Sequence, residues 1–464
     1  MKDLLGLTAD YAAQFLGSLD DRPVGSSASV EDLRAAFGGP LPVKGSDDVQ
    51  VIADLIAAAE PGVTAIPGGR YFGFVIGGAL PAALAADWLT STWDQNAGLY
   101  VIGPSAAVVE EVVLEWLREL LQLPEGVSAG FVTGCQMAHV TALAAARHHV
   151  LERAGWDLLN EGLQGAPRIR VLAGTHRHVT IDRALRYLGI GARQIEALAA
   201  DEQGRLRPEV VRAALTGEHG PTIVCAQAGE INSGSFDPLD EIADAVDGSD
   251  AWLHVDGAFG LWASASPRFR HLTAGIERAD SWATDGHKWL NVPYDSGIAF
   301  CAHPGAHRAA MSVSASYLEH TDPDAARDQL DWTPEFSRRA RGFPIYAAIR
   351  ALGSQGIAAM VERCCDHATR FAGLLAAEPG VEILNDVVLN QVLVRFGDDD
   401  AATRATIAAV QDDGTCWLSG TVWQGKAAMR ISVSSWRTSD DDVERSAGAI
   451  LAAAATVTGS VRAS

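Results

Sequence analysis

The chain has only four lysines, Lys2, Lys44, Lys288 and Lys426, so any reaction that needs a lysine amine has few candidates. Lys288 has the most unusual setting, Asp280-Ser281-Trp282-Ala283-Thr284-Asp285-Gly286-His287-Lys288-Trp289-Leu290, with a histidine beside it and apolar and aromatic residues around it. A buried ammonium is costly unless it is neutralised or put to use. One use is a Schiff base with an aldehyde, which burial favours by lowering the proton affinity of the amine. The same spacing also suits a lysine whose stem packs while its head stays in water. A second constellation is Trp252-Leu253-His254-Val255-Asp256-Gly257-Ala258-Phe259-Gly260. A strand ending in aspartate and followed by small residues puts a carboxylate at a sheet edge, with room for a flat ring. Such a carboxylate can hold a pyridine nitrogen protonated and make the ring an electron sink, although an aspartate there also serves as a turn or cap residue. The third is Gly130-Phe131-Val132-Thr133-Gly134-Cys135-Gln136-Met137-Ala138-His139, a strand turning into a helix whose first amides are free for an anion or simply make the connection.

These residues lie far apart in the chain, and the hydrophobic pattern predicts the scaffold that gathers them. Phe131-Val132 leads into Gly134 and an alanine-rich helix, residues 169–172 lead into a helical stretch at 179–188, and short apolar runs follow at 222–226 and 251–255. Helices between short buried strands predict an α/β fold with a largely parallel sheet that binds ligands at the carboxyl ends of its strands. Upstream, residues 9–19, 49–59 and 105–121 have helical periodicity, and Ser29-Val30-Glu31-Asp32 has the pattern of a helix start. After Gly353, helical stretches at 357–378 and 401–412 alternate with apolar runs at 387–396 and 428–433. The expected division is an N-terminal helical segment, 1–70, a large cofactor-binding domain, 71–352, and a small α+β C-terminal domain, 353–464.

The balance of 36 Lys+Arg against 58 Asp+Glu leaves a net charge of −22 over 464 residues. That argues against nucleic acid or an anionic membrane as partner, since both need clustered cations. With 48% hydrophobic and 20% charged residues the composition is globular rather than disordered. The first ten residues are interrupted by acids and do not read as a signal peptide, and no apolar run is long enough to span a membrane. The six cysteines show no CxxC spacing of a zinc site, so no metal is expected, and reduced buried thiols in a cytoplasmic protein are.

Several of these segments occur together in an order that marks a family. Thr133-Gly134-Cys135-Gln136, His178 in His178-Val179-Thr180-Ile181-Asp182-Arg183-Ala184, Ser235-Phe236-Asp237-Pro238, His254-Val255-Asp256-Gly257-Ala258 and His287-Lys288-Trp289-Leu290 lie within a stretch from about Tyr71 to Arg437. In this the chain resembles the pyridoxal-phosphate-dependent group II amino-acid decarboxylases, the family of the aromatic amino-acid, histidine and glutamate decarboxylases. The resemblance implies a fold-type I enzyme, like aspartate aminotransferase, with a large mixed, mainly parallel sheet and a smaller α+β C-terminal domain. It implies pyridoxal 5'-phosphate as cofactor, a small-molecule amino-acid substrate, and a homodimer with active sites at the interface. By position, Lys288 matches the Schiff-base lysine, Asp256 the partner of the pyridinium nitrogen, and His178 the histidine stacked on the ring, with Ala258 beneath it. Cys135 and Gln136 match the phosphate-holding turn, with Asp285 and His287 beside it. Loss of CO₂ from the bound amino acid would leave a carbanion that drains into the ring, and protonation would give an amine.

The chain also departs from that family. Residues 319–332 match the mobile loop that carries the family's proton-donating tyrosine, yet contain no tyrosine. Gln329 lies nearest that position, and Tyr317 matches a different, preceding tyrosine. A carbanion that is not protonated quickly is open to oxygen, so the alternative outcome is an aldehyde synthase or another carbon–carbon lyase. Gly229-Glu230-Ile231-Asn232-Ser233-Gly234 replaces a threonine-rich turn, and an ionised Glu230 there would repel a substrate carboxylate. Met137-Ala138-His139 replaces a more acidic stretch, and no role is expected for His139. Phe72, Phe74, Trp93, Asn96 and Tyr100 match pocket positions, with an aromatic substrate favoured, but also suit a core. A catalytically silent scaffold is the reading from a different class; retention of Lys288, Asp256 and His178 weighs against it.

Overall fold

The computed structural model describes residues 1–217, 220–313 and 327–463, with side chains to 457. The chain divides into two compact units, one of Met1–Ile76, Thr369–Leu384 and Leu393–Ser464, the other of Gly77–Ala368 and Asn385–Val392. The first begins with helices α1 (Lys2–Gly17), α2 (Val30–Phe37) and α3 (Asp48–Ala59). The Ser29 side chain caps α2 by accepting from Asp32 N while the Asp32 carboxylate returns to Ser29 N, so this start signal forms a capping box.

The second unit opens with α4 (Pro81–Trp93) and α5 (Pro104–Leu120), each with proline in the first turn, where a missing N–H breaks no intrahelical bond. Its sheet has seven strands: β1 (Ser128–Val132), β2 (Arg170–Gly174), β3 (Ile195–Leu198), β4 (Thr222–Gln227), β5 (Trp252–Asp256), β6 (Ser281–Asp285) and β7 (Gly297–Cys301). They lie in the order β1-β7-β6-β5-β4-β2-β3. Strands β3, β2, β4, β5 and β6 are mutually parallel, and β7 runs antiparallel between β6 and β1. The sheet is therefore mixed and mainly parallel. Helix α6 (Cys135–Arg153) follows β1 and is buried along most of its length, which explains why its sequence is alanine-rich and not amphipathic. After α7 (Leu158–Glu161) and β2, α8 (Val179–Tyr187) starts at His178.

A second sheet, in the order β10-β11-β9-β8, comprises β8 (Val381–Ile383), β9 (Gln391–Phe396), β10 (Ser419–Trp423) and β11 (Lys426–Ser432). The helix Gly342–Ala376 has a non-helical residue at Gly353, with φ of 63°, while the compact units exchange only after Ala368. No helix among the described residues is long and apolar enough to cross a membrane.

Candidate active site

The carboxyl ends of β1, β2, β5 and β6 converge in the second unit, the place where a parallel sheet presents side chains to a ligand. Asp256 ends β5 and Asp285 ends β6. Ala258 ties the two ends together: its N–H donates to Asp256 Oδ1 at 3.1 Å and its carbonyl accepts from Asp285 N at 3.0 Å. At the end of β1 the backbone turns at Gly134 so close to β7 that a Cβ on Gly297 would lie 2.3 Å from Gly134 Cα. Only glycine fits there. Helix α6 then begins with the Cys135 N–H donating to Asp285 Oδ1 at 2.6 Å.

Lys288 Nζ lies 3.1 Å from Asp285 Oδ2. Burial lowers the proton affinity of this amine, but the Asp285 carboxylate, with Cys135 and Asp256 farther off, more than offsets it, so the pKa lies above the ordinary lysine value. The expected lowering by burial is thus corrected: the neighbouring carboxylate decides the sign. His287 Nδ1 accepts from Ser296 N at 2.9 Å, its Nε2 lies 3.5 Å from Asp285 Oδ1, and its ring stacks on Tyr294 at 4.2 Å. Burial pulls the His287 pKa down.

His178 is the N-cap of α8, with Nδ1 at 2.8 Å from Thr180 Oγ1. Gln136 Nε2 donates to Thr180 O at 3.3 Å, joining the starts of α6 and α8, and Gln136 Oε1 is buried with no hydrogen-bond partner among the described residues. Burial pushes the Asp256 carboxyl up, but His139 facing it, with His178 and Lys288 nearby, outweighs this and holds it below the usual carboxylate range. The structure thus brings Lys288, Asp256, His178, Cys135, Gln136, Ala258, Asp285 and His287 to adjoining strand and helix ends.

Sequence reasoning left His139 without a role, whereas the structure buries it completely, 3.4 Å from Asp256 Oδ2 and 2.9 Å from His254. The signal was its position four residues after Cys135, on the same face of a helix that starts at the phosphate-type turn. Cys135, His139 and Asp256 also offer ligand atoms within 4.8 Å of one another. Burial, with the Asp285 and Asp256 carboxylates nearby, pushes the Cys135 thiol well above its ordinary value.

One expectation is corrected. Glu230 does not point a bare charge at a substrate: its carboxylate accepts from Asn232 N at 2.7 Å, Asn232 Nδ2 at 2.9 Å and Ser233 N at 2.7 Å, closing its own turn. Gln329 is buried, donating to Ala107 O at 3.2 Å and accepting from Arg327 Nε at 2.9 Å, so both ends of its amide are engaged within the fold. Tyr317 and the loop positions 319–326 lie outside the described residues. Among the pocket positions, Trp93 packs edge-on against Phe343, Asn96 Oδ1 accepts from Gly98 N and Arg338 N, and Tyr100 N donates to Asp328. Phe72 packs against Phe371, and Phe74 against Trp417, within the first unit.

Residues 31–396 match the model of the pyridoxal-dependent decarboxylase conserved domain. The chain belongs to the pyridoxal-dependent decarboxylase family. It is 27% identical over 468 residues to tyrosine decarboxylase 2 of Arabidopsis thaliana, covering 95% of this chain and 83% of the relative. It is 26% identical to phenylacetaldehyde synthase of the same plant, covering 94% and 92%. The solved Oryza sativa TDC with PLP and tryptamine superposes with a TM-score of 0.92 at 23% identity, covering 98% of this chain and 97% of that one. This likeness shows the fold, the fold-type I arrangement of PLP-dependent decarboxylases. As a family member the chain is a PLP-dependent carboxy-lyase, and its cofactor is pyridoxal phosphate.

The residues present fit that cofactor at two of its three groups. Asp256 is a buried carboxylate suited to a ring N–H, and Lys288 is an amine suited to the aldehyde. At the phosphate end the first amide of α6 is the donor a phosphate oxygen needs, but the Asp285 carboxylate already occupies it, and Gln136 Oε1 is an acceptor that offers a phosphate no hydrogen bond.

Proposed function

We propose that the chain decarboxylates an L-amino acid, with an aromatic side chain preferred, to the corresponding amine. The observation that carries this is the joining, at adjacent strand ends of a decarboxylase fold, of a carboxylate held ionised and a lysine amine 3.1 Å from a second carboxylate. When bound, pyridoxal phosphate supplies an aldehyde for the substrate amine and a ring that takes up the electron pair left by departing CO₂. In this reading Asp256 holds the proton on the ring nitrogen. Lys288 Nζ lies 3.1 Å from Asp285 Oδ2, which orients it and stabilises its ammonium form, and once that proton is lost the amine would supply the Schiff-base nitrogen for the cofactor aldehyde. His178 is fixed by Thr180 at the start of α8, where its imidazole can flank the ring. Cys135 and Gln136 face the phosphate, with Asp285 and His287 beside them.

The preference for an aromatic amino acid rests on relatives named for tyrosine and aromatic-L-amino-acid decarboxylation. A homodimer is supported by Trp88, Leu89, Trp93, Val101, Ile102 and Val108, which leave a run of exposed apolar side chains on and near α4 and α5. All six cysteines are buried and none is in a disulfide, which supports a reducing, cytoplasmic setting.

A second reading is oxidative: an amino acid, O₂ and water give an aldehyde, CO₂, ammonia and hydrogen peroxide. Gln329 favours it, because this braced side chain is no proton donor, and aldehyde synthases are among the relatives. The test is a product balance: holoenzyme is incubated in air with the standard amino acids, and CO₂, amine, aldehyde, ammonia and peroxide are quantified. Amine equal to CO₂ supports the first reading, aldehyde with ammonia and peroxide replaces it by the second, and no CO₂ from any amino acid contradicts both.

A further inference from the structure

We infer that His139 is a positioning residue for Asp256, the last link of a buried hydrogen-bond chain that delivers one N–H to the carboxylate and keeps it aimed at the ring nitrogen of the cofactor. This rests on the proposed reading of Asp256 as the partner of that nitrogen. The chain starts at Trp252 Nε1, which donates to Ser281 Oγ at 2.8 Å. Ser281 Oγ lies 2.9 Å from His254 Nδ1, His254 Nε2 lies 2.9 Å from His139 Nδ1, and His139 Nε2 lies 3.4 Å from Asp256 Oδ2. Both imidazoles and Ser281 are fully buried, so water cannot substitute for a missing partner.

The chemistry of the groups sets the direction of the chain. An indole N–H can only donate, so Ser281 Oγ accepts from Trp252. Among the described residues, the acceptor for the hydroxyl proton of Ser281 is His254 Nδ1. Burial, reinforced by His139, pulls the His254 pKa down to about 3, so this ring is neutral and carries its proton on Nε2. That proton is donated to His139 Nδ1, which leaves the His139 proton on Nε2. There it faces Asp256 Oδ2 and Cys135 Sγ, each at 3.4 Å, and the carboxylate is the stronger acceptor. The tautomers are assigned from the hydrogen-bond network.

With Ala258 N on Oδ1 and His139 on Oδ2, Asp256 is fixed by two donors from separate elements. An N–H pointing at Oδ2 opposes protonation of that oxygen, so the carboxylate stays an acceptor for a ring N–H. Other titratable groups facing it are Cys135 from α6, Cys225 from β4, His178 at the start of α8, and Lys288 beyond β6.

The test uses holoenzyme carrying pyridoxal phosphate labelled with ¹⁵N in the ring, whose chemical shift reports ring-nitrogen protonation between pH 6 and 9. Wild type is expected to stay protonated across that range and Asp256→Ala to lose the proton. His139→Leu is expected to lose it within the range, with kcat down about tenfold to a hundredfold, the size seen when an orienting partner of a functional group is removed. KM should change little, and His139→Gln, which restores an N–H, should recover part of the protonation. An unchanged profile in His139→Leu, with the proton lost in Asp256→Ala, overturns the inference alone. An unchanged profile in Asp256→Ala overturns the reading of Asp256 itself. A measurement on wild type, independent of whether any variant folds, is the ¹⁵N histidine spectrum of the holoenzyme: protons on Nε2 of both His139 and His254 are expected, and a neutral His139 protonated on Nδ1 contradicts the chain.

Discussion

Asp256 and Asp285 end neighbouring strands of the same sheet, and both are buried, but their surroundings are opposite. Asp256 receives the Ala258 amide and faces His139, and among the described residues no lysine or arginine lies in salt-bridge contact with it. Asp285 takes the first amide of α6 and the ammonium of Lys288. The first aspartate is set up to accept a proton-bearing ring nitrogen. The second holds the amide that a phosphate oxygen needs, and a phosphate dianion beside it is a like-charge contact. In the proposed reading one end of the site is therefore prepared for its ligand, while at the other the Asp285 carboxylate would have to give up the amide.

The strongest way to break this comparison is to remove the amine. Lys288→Ala should lower kcat by about 10³-fold or more and abolish the absorbance of the bound cofactor, read by spectrophotometry and steady-state assay. Next in size is Asp256→Asn, expected to cost about 10²- to 10³-fold in kcat, because a neutral amide cannot stabilise a protonated ring. A loss smaller than that in Asp285→Asn would reverse the ranking of the two aspartates.

Asp285→Asn sharpens the contrast in the other direction. Removing the charge should tighten pyridoxal phosphate binding by about tenfold, a change of about 1.4 kcal/mol, in a fluorescence titration of the protein without cofactor. It should also lower the proton affinity of Lys288, so that the cofactor is captured faster at neutral pH. Weaker binding in this variant would show that the carboxylate helps to hold the phosphate.

The smallest effect is on stability. The His254 pKa is depressed from the ordinary 6.5 to about 3 by burial and by His139. Below pH 6.5 the unfolded chain takes up a proton that the folded chain refuses, so the contribution to stability is present above 6.5 and is lost as pH falls toward 3. One such proton gives a slope of about 1.4 kcal/mol per pH unit. His254→Gln should remove that much from the slope of urea midpoints converted to free energy, and an unchanged slope would contradict neutral burial of the ring.

Much of this site is legible in the residues because it is local. A strand running into Asp256-Gly257-Ala258, a turn at Gly134 and the pair His287-Lys288 each declare their geometry within ten residues, and the cofactor ring needs those three. The strands β1, β2, β4 and β5 are read from apolar runs for the same reason. What escapes is set by contacts across the sequence. His139 meets His254 through the packing of α6 on the sheet, 115 residues apart in the chain. The proton affinity of Lys288 depends on a carboxylate three residues away whose direction only the end of β6 decides. Glu230 reads as a threat to an anionic substrate until its turn is seen to absorb the charge. The antiparallel strand β7 carries no periodicity that distinguishes it from its parallel neighbours.

The central claim is that the chemistry is anchored at Lys288. The most direct test is to reduce the cofactor-loaded protein with borohydride, digest it and locate the fixed pyridoxyl group by mass spectrometry. The account predicts a single modified peptide containing Lys288. Modification at Lys2, Lys44 or Lys426 instead, or none at any lysine, would contradict it.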